Sequence, residues 1–64
     1  MTGKIHRLLL EKSYGFIRDK QNNDYFFFRS AVKNAKFEDL EVGMECEFED
    51  SETDKGLRAE DIYV

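Results

Sequence analysis

A chain of 64 residues has room for one small domain, and such a domain buries only about 60% of the surface that its unfolded chain exposes. The single cysteine excludes an intrachain disulfide, and with one histidine it cannot complete an ordinary four-ligand structural zinc site. The formal net charge of −4 argues against a uniformly basic nucleic-acid binder. We therefore expect one domain over residues 1–64, without a metal and stabilised by packing alone.

The predicted elements in the first half are short strands, because Phe, Tyr, Ile and Val recur in brief runs between polar or glycine-bearing breaks. A charged turn from Asp19 to Asn23 separates the second strand from the third. Ser30 is placed to cap a single helical turn over Ala31 to Asn34. The three predicted strands cover residues 3–10, 13–18 and 24–29.

The second half begins with a connection over residues 35–43. Acidic and apolar residues then alternate from Glu45 to Glu49, which predicts a half-buried strand, with Cys46 in the core. A polar turn from Asp50 to Gly56 leads to a fifth strand at 57–63. Five short antiparallel strands without a long helix favour an all-β barrel of the oligonucleotide-binding (OB) type, because closure removes unpaired edges. A five-stranded open sheet is the structural alternative.

The longest aliphatic run, Leu8–Leu10, is too short for a membrane helix or a secretory signal. With one cysteine, the chain is expected in the reducing cytoplasm, away from membranes. No nucleophile, base and acid occur together on a scaffold able to orient them, so we expect no enzyme activity, no cofactor and no small-molecule substrate. A monomer is expected, and a dimer remains open.

Charge is divided between the two halves of the chain. Residues 1–37 hold eight Lys/Arg against three acids, whereas residues 38–64 hold two against eleven. Because a polyanion responds to the local field, the basic half can bind nucleic acid despite the negative total.

Aromatic residues concentrate in the second and third strands. The third strand contains four consecutive rings, and period-two alternation sends Tyr25 and Phe27 to one face and Phe26 and Phe28 to the other. A small domain cannot bury both sets, so one set is expected to face solvent. If that set lies beside Tyr14 and Phe16 of the second strand, four rings form one exposed surface, here called the ring face: Tyr14, Phe16, Phe26 and Phe28.

An exposed ring face suits single-stranded nucleic acid, because stacking on a base is worth about 1–3 kcal/mol. Cations that could follow the phosphates flank it in sequence, at positions Lys4, His6, Arg7, Lys12 and Arg29. The competing interpretation is that the rings fill the core and the cations are merely solvated.

The chain resembles the cold-shock domain family over essentially its whole length. Gly3–Ile5 resembles the family's opening Gly-Lys-Val, Lys12–Ile17 its Lys-Gly-Phe-Gly-Phe-Ile motif, and Asp24–Val32 its Asp-Val-Phe-Val-His-Phe-Ser-Ala-Ile motif. Further matches are Phe37 to Gly43, Phe48-Glu49, Lys55-Gly56 and Ala59.

The resemblance implies a five-stranded barrel that binds single-stranded RNA or DNA with little sequence preference, acting as an RNA chaperone or a regulator of transcription or translation. It implies stacking by Tyr14, Phe16, Phe26 and Phe37, and polar contacts by Lys12, Asp24 and Lys55. The predicted binding residues in full are Lys4, His6, Arg7, Lys12, Tyr14, Phe16, Asp24, Phe26, Phe28, Arg29, Phe37, Lys55 and Arg58.

The chain departs from the family's pattern at the proposed site. Arg7 stands where the family has a tryptophan, Phe28-Arg29 replaces His-Phe, and Ser13 replaces a glycine. Fewer rings and more charge predict weaker or more salt-dependent binding than is typical of the family. The alternative is a protein-interaction module that kept the barrel and lost most of its affinity for nucleic acid.

Overall fold

Five strands make up this chain in a computed structural model that describes residues 1–64: β1 (Thr2–Leu9), β2 (Tyr14–Arg18), β3 (Asp24–Phe28), β4 (Glu45–Thr53) and β5 (Gly56–Tyr63). They hydrogen-bond in the order β1-β2-β3-β5-β4 and close into a barrel. Strand β3 pairs with β5 in parallel, and the other four strand pairs are antiparallel. The predicted all-β OB barrel is therefore confirmed, with one parallel pair among its five.

Three single turns of 3-10 helix connect the strands, at Leu10–Lys12, Arg29–Ala31 and Phe37–Asp39. The second begins earlier than the predicted turn at Ala31 to Asn34, and no side chain caps it, so the capping role expected of Ser30 is wrong. None of these helices has the length and apolar character that a membrane crossing would need.

The last two strands form a longer hairpin than predicted. Strand β4 continues past Glu49 to Thr53, where it pairs with Gly56, so that only two residues form the turn. The Thr53 hydroxyl donates to the Gly56 carbonyl at 2.9 Å and accepts from the Lys55 amide at 3.2 Å, which tightens this turn. Gly56 has a φ of +122°, which few side chains tolerate. Residues 50–53, which include Asp50 and Glu52, therefore belong to β4 and not to the polar turn that was predicted from Asp50 to Gly56.

Ten apolar residues fill the barrel: Ile5, Ile17, Tyr25, Phe27, Phe37, Leu40, Cys46, Phe48, Ala59 and Ile62. Tyr25 and Phe27 are the pair of β3 rings that points inward, and the predicted alternation of β3 is confirmed. Cys46 is buried as predicted, and burial raises the pKa of its thiol to about 11. Gly15 lets β2 lie close against the core, because a Cβ at this position would lie 2.9 Å from the ring of Phe27.

Phe37 is a core residue, contrary to the expectation that it is available for stacking. Its exposed fraction is 3%, and its ring centroid lies 6.0 Å from that of Phe27. It begins the last 3-10 turn, is the one buried residue of that turn, and joins the core together with Leu40. A ring so placed cannot receive a base on its face in this conformation.

Neighbouring rings on β3 provide a direct test of the inward and outward assignment. Phe27→Ala should lower the free energy of unfolding by about 3–5 kcal/mol, because it leaves a cavity among fully buried side chains. Phe28→Ala, the matched control on the outward face, should cost about 1 kcal/mol or less. Urea denaturation followed by circular dichroism measures both. Equal losses for the two variants would contradict the assignment.

Candidate nucleic-acid interface

Strand register arranges the outward side chains of β1, β2 and β3 in three rows. In the first row Tyr14 lies between Leu9 and Phe28. The second row runs Arg7, Phe16, Phe26 and Arg58, from β1 to β5. The third row runs Lys4, Arg18 and Asp24. Aromatic residues thus occupy the middle of this surface and charged residues its sides.

The ring face exists as the sequence predicts. The Phe16 and Phe26 centroids are 5.8 Å apart, Tyr14 lies 5.1 Å from Phe26, and Phe28 stands perpendicular to Phe26 at 4.7 Å. Phe28 is 43% exposed, and the other three rings are half-buried because they pack on one another. Such contacts hold the rings in fixed orientations while leaving part of each accessible.

A β-bulge in β1 brings Arg7 to the ring face. In a regular strand Arg7 would point inward, two residues after the buried Ile5. The register instead shifts between Ile5 and Arg7, so that His6 is the extra residue and Arg7 lies opposite Phe16. Both His6 and Arg7 are exposed as a result. Simple alternation could not have placed both on the outside, and the sequence contains no clear signal for the bulge.

Lys12 is presented by the turn that precedes the ring face. It ends the 3-10 helix between β1 and β2, is exposed, and is followed by Ser13. Ser13 has a φ of +60° and a ψ of +36°, the left-handed conformation that glycine adopts most easily. The exchange of the family's glycine for serine therefore falls where the backbone requires this conformation.

The cations of the predicted site differ in whether an acid already pairs with them. Arg29 pairs with Glu38, and Arg58 Nε lies 3.3 Å from a Glu60 oxygen. Arg7 and Lys12 take part in no ion pair. These two are therefore free to meet a phosphate without first separating from a carboxylate.

Asp24 lies at the side of the ring face with both carboxylate oxygens occupied. Arg18 donates to them from Nε at 2.7 Å and from a terminal amino group at 3.2 Å. The Arg18 guanidinium holds the pKa of Asp24 below its usual range. Arg18 was not among the predicted site residues, although it lies two positions after Phe16 and hence on the same face of β2.

The turn between β2 and β3 is organised by Asp19. Its carboxylate accepts hydrogen bonds from the Gln21 and Asn23 amides, the Asn23 side chain and the Tyr25 hydroxyl, at 2.8–3.2 Å. The bond from the Asn23 amide is the main reason that the pKa of Asp19 is lowered. This turn fixes the start of β3 and thereby the register of Phe26 against Phe16.

The remaining predicted site residues lie at the borders of the surface. Lys55 occupies the two-residue turn between β4 and β5, and Lys4 and His6 lie along β1. The acids of β4 do not lie directly beside the rings, because β4 pairs with β1 and β5 and not with β2 or β3, although Glu45 lies opposite Lys4. The two charge populations nevertheless meet elsewhere, because Arg29 pairs with Glu38 and Lys33 with Asp61.

Comparison with known proteins agrees with this architecture. The family model described as the 'Cold-shock' DNA-binding domain matches residues 1–64. Cold shock-like protein CspE of Bacillus anthracis is 34% identical over 62 residues, covering 97% of this chain and 92% of that protein. Cold shock protein 1 of Lactiplantibacillus plantarum is 35% identical over 61 residues, covering 95% and 92%. Cold shock protein CspA of Staphylococcus saprophyticus is 38% identical over 60 residues, covering 94% and 91%.

Acid should weaken the fold through Asp19. A carboxylate whose folded pKa is depressed stabilises the fold above its unfolded value of about 3.9 and loses that contribution as the pH falls through the folded value. Asp19→Asn should therefore lower the unfolding midpoint at pH 7, and its difference from the unaltered chain should shrink as the pH falls below about 4. Thermal denaturation across this pH range measures the difference. A gap of constant size would show that the carboxylate charge does not stabilise the turn.

Proposed function

We propose that this chain, which belongs to the cold-shock domain family, binds single-stranded RNA or DNA across the ring face. Nucleic-acid binding is the property of the family as a whole, and the family model that matches is that of a DNA-binding domain. The finer proposal concerns which surface binds and which form of nucleic acid it accepts. The proposed activity of this domain is binding, without catalysis.

The observation that carries the proposal is the row in which Phe16 and Phe26 lie side by side with an unpaired Arg7 at one end. Two half-buried rings offer fixed surfaces on which successive bases can stack, at about 1–3 kcal/mol per base. A cation beside them reaches the phosphates that link those bases. Rings without cations would suit many apolar partners, whereas the combination matches the alternation of base and phosphate in a single strand.

Each group of residues has a separate role in this proposal. The four rings of the ring face receive bases, and the cations around them contact phosphates, with Arg7 and Lys12 foremost. Lys4, His6 and Lys55 lie farther out and extend the positive field along the strand. Phe37 takes no part in stacking because it is buried. Arg29 contributes less than a free cation would, because binding has to compete with Glu38.

The same surface explains why low sequence preference and single-strand preference go together. Every base has a π-face, so stacking discriminates weakly among bases, and paired bases in a duplex do not present that face. Such binding would suit an RNA chaperone or a regulator of transcription or translation. We propose a cytoplasmic monomer as the acting form.

A titration with labelled oligothymidine, followed by fluorescence anisotropy, tests the proposal. Phe16→Ala should weaken binding by about 1–3 kcal/mol, because one stacking surface is lost. Tyr63→Ala is the matched control: Tyr63 is 51% exposed, but it lies on β5 opposite Glu47 and away from the ring face. Its affinity should be unchanged, and a duplex of the same length should bind much more weakly than the single strand.

Circular dichroism of both variants shows whether the barrel remains folded under the conditions of the titration. Equal affinity for duplex and single strand would contradict the stacking model. So would a Phe16→Ala variant that stays folded and binds as tightly as the unaltered chain.

Arg7→Trp tests whether the arginine limits affinity by standing in place of a ring. A ring opposite Phe16 adds a stacking surface worth about 1–3 kcal/mol, more than one exposed phosphate contact supplies, so affinity should rise at moderate salt. The slope of log affinity against log salt should shrink in magnitude by about 0.7, because one cation is removed. The chain has no native tryptophan, so this residue would also report binding by its own fluorescence.

Arg7→Leu separates the two effects, since it removes the cation without adding a ring. It should show the same smaller salt slope with reduced affinity. If Arg7→Trp instead leaves affinity for the oligonucleotide unchanged and produces oligomers on size-exclusion chromatography, the surface would be better suited to a protein partner.

A further inference from the structure

Arg58 occupies the end of the central row, at the side of the ring face opposite Arg7. It is the residue of β5 that pairs with Phe26 of β3. Its guanidinium carbon lies 4.9 Å from the centroid of the Phe28 ring. A guanidinium over the face of a ring is held by cation–π attraction, so it has a preferred position next to the bases that the rings would receive.

The surroundings of Arg58 leave part of its donor set unused. Its Nε is buried and donates no hydrogen bond, although a Glu60 oxygen lies only 3.3 Å away. The side chain as a whole is 38% exposed, so its accessible part lies beyond Nε, towards the terminal amino groups. Arg58 is thus fixed by a ring and a nearby carboxylate, while its outer N–H donors remain available to a ligand.

A phosphate is the less suitable ligand for this arginine. The Glu60 carboxylate beside it offsets its charge and would repel a phosphate, whereas Arg7 and Lys12 have no such neighbour. Base edges are uncharged, so a nearby carboxylate does not exclude them. The position of Arg58 beside Phe26 also places it level with stacked bases and not outside them.

We propose that Arg58 reads one guanine in the bound strand, through paired hydrogen bonds from its guanidinium to O6 and N7 of the base that stacks beside Phe26 and Phe28. A planar guanidinium presents parallel N–H donors that match these two acceptors, which makes the pair the commonest specific contact between arginine and a base. The domain then has one position of real preference within an otherwise tolerant site. This inference rests on the proposed single-strand binding.

The test scans a single guanine through a labelled oligothymidine, one position at a time, and measures affinity by anisotropy. At one position the guanine should raise affinity about tenfold over thymine, within the range of a good bidentate contact. The measured quantity is the ratio of the two affinities for each protein, so that a general loss of binding does not affect it.

Arg58→Lys keeps the positive charge and removes the planar pair of donors, so its ratio should fall to about one. Arg7→Lys makes the same exchange at the other end of the row and serves as the matched control, with the ratio retained. Circular dichroism at the temperature of the titration shows whether both variants are folded.

Base analogues identify the atoms involved. Replacing the preferred guanine by 7-deazaguanine removes the N7 acceptor and should abolish most of the gain, whereas hypoxanthine keeps O6 and N7 and should preserve it. A preference that survives in Arg58→Lys, or that is insensitive to N7, would overturn the inference.

Oligothymidine that binds with no guanine preference at any position would overturn this inference and leave the proposed function intact. Failure of the unaltered chain to bind oligothymidine and all the guanine-containing strands would overturn both.

Discussion

The alternation of side chains along β3 is the constraint on which the rest of this molecule depends. Four consecutive rings in one strand cannot all be buried, because successive side chains point to opposite faces and the barrel has one interior. Tyr25 and Phe27 complete that interior, and Phe26 and Phe28 are thereby forced outward. The pairing of β2 with β3 places Tyr14 and Phe16 beside them. A surface suited to bases therefore arises from the same residues that build the core.

The bulge at His6 and the division of charge serve this surface in different ways. The bulge turns Arg7 from an inward to an outward position without interrupting the pairing of β1 with β2. The order of strands keeps β4, with its outward acids, away from β2 and β3. A net negative chain can consequently present positive charge around its rings. The cations around the rings differ in how strongly they attract phosphate. Arg29 and Arg58 lie near carboxylates, and an arginine near a carboxylate attracts phosphate less strongly than a free one.

Much of the fold could be predicted from the sequence, because strand periodicity and turn residues are local signals. Alternation predicted the burial of Cys46 and the division of the β3 rings into two opposite pairs, and the expected pairing of Phe26 and Phe28 with Tyr14 and Phe16 left Tyr25 and Phe27 for the interior. The burial of Phe37 could not be predicted in this way, because Phe37 lies outside the strands and its position depends on packing against Phe27. The same holds for the bulge at His6 and for the position of Arg58 over Phe28, which requires the parallel pairing of β3 with β5. Contacts between distant segments, and not local pattern, decided each of these features.

The strand order also makes closure of the barrel depend on pairings between distant parts of the chain. Strands β1, β2 and β3 can pair with one another through short connections, but β1 must wait for β4, and β3 for β5, before the sheet closes. The amino group of Met1 bonds to the Phe48 carbonyl at 2.9 Å across 47 residues, so even the first residue is held by a late one. Such distant pairings have to overcome the entropy of loop closure before they stabilise anything. The inner side chains of the basic, ring-bearing half are therefore fully covered only when the acidic half pairs with it, so the ring face depends for its stability on strands that carry none of its rings.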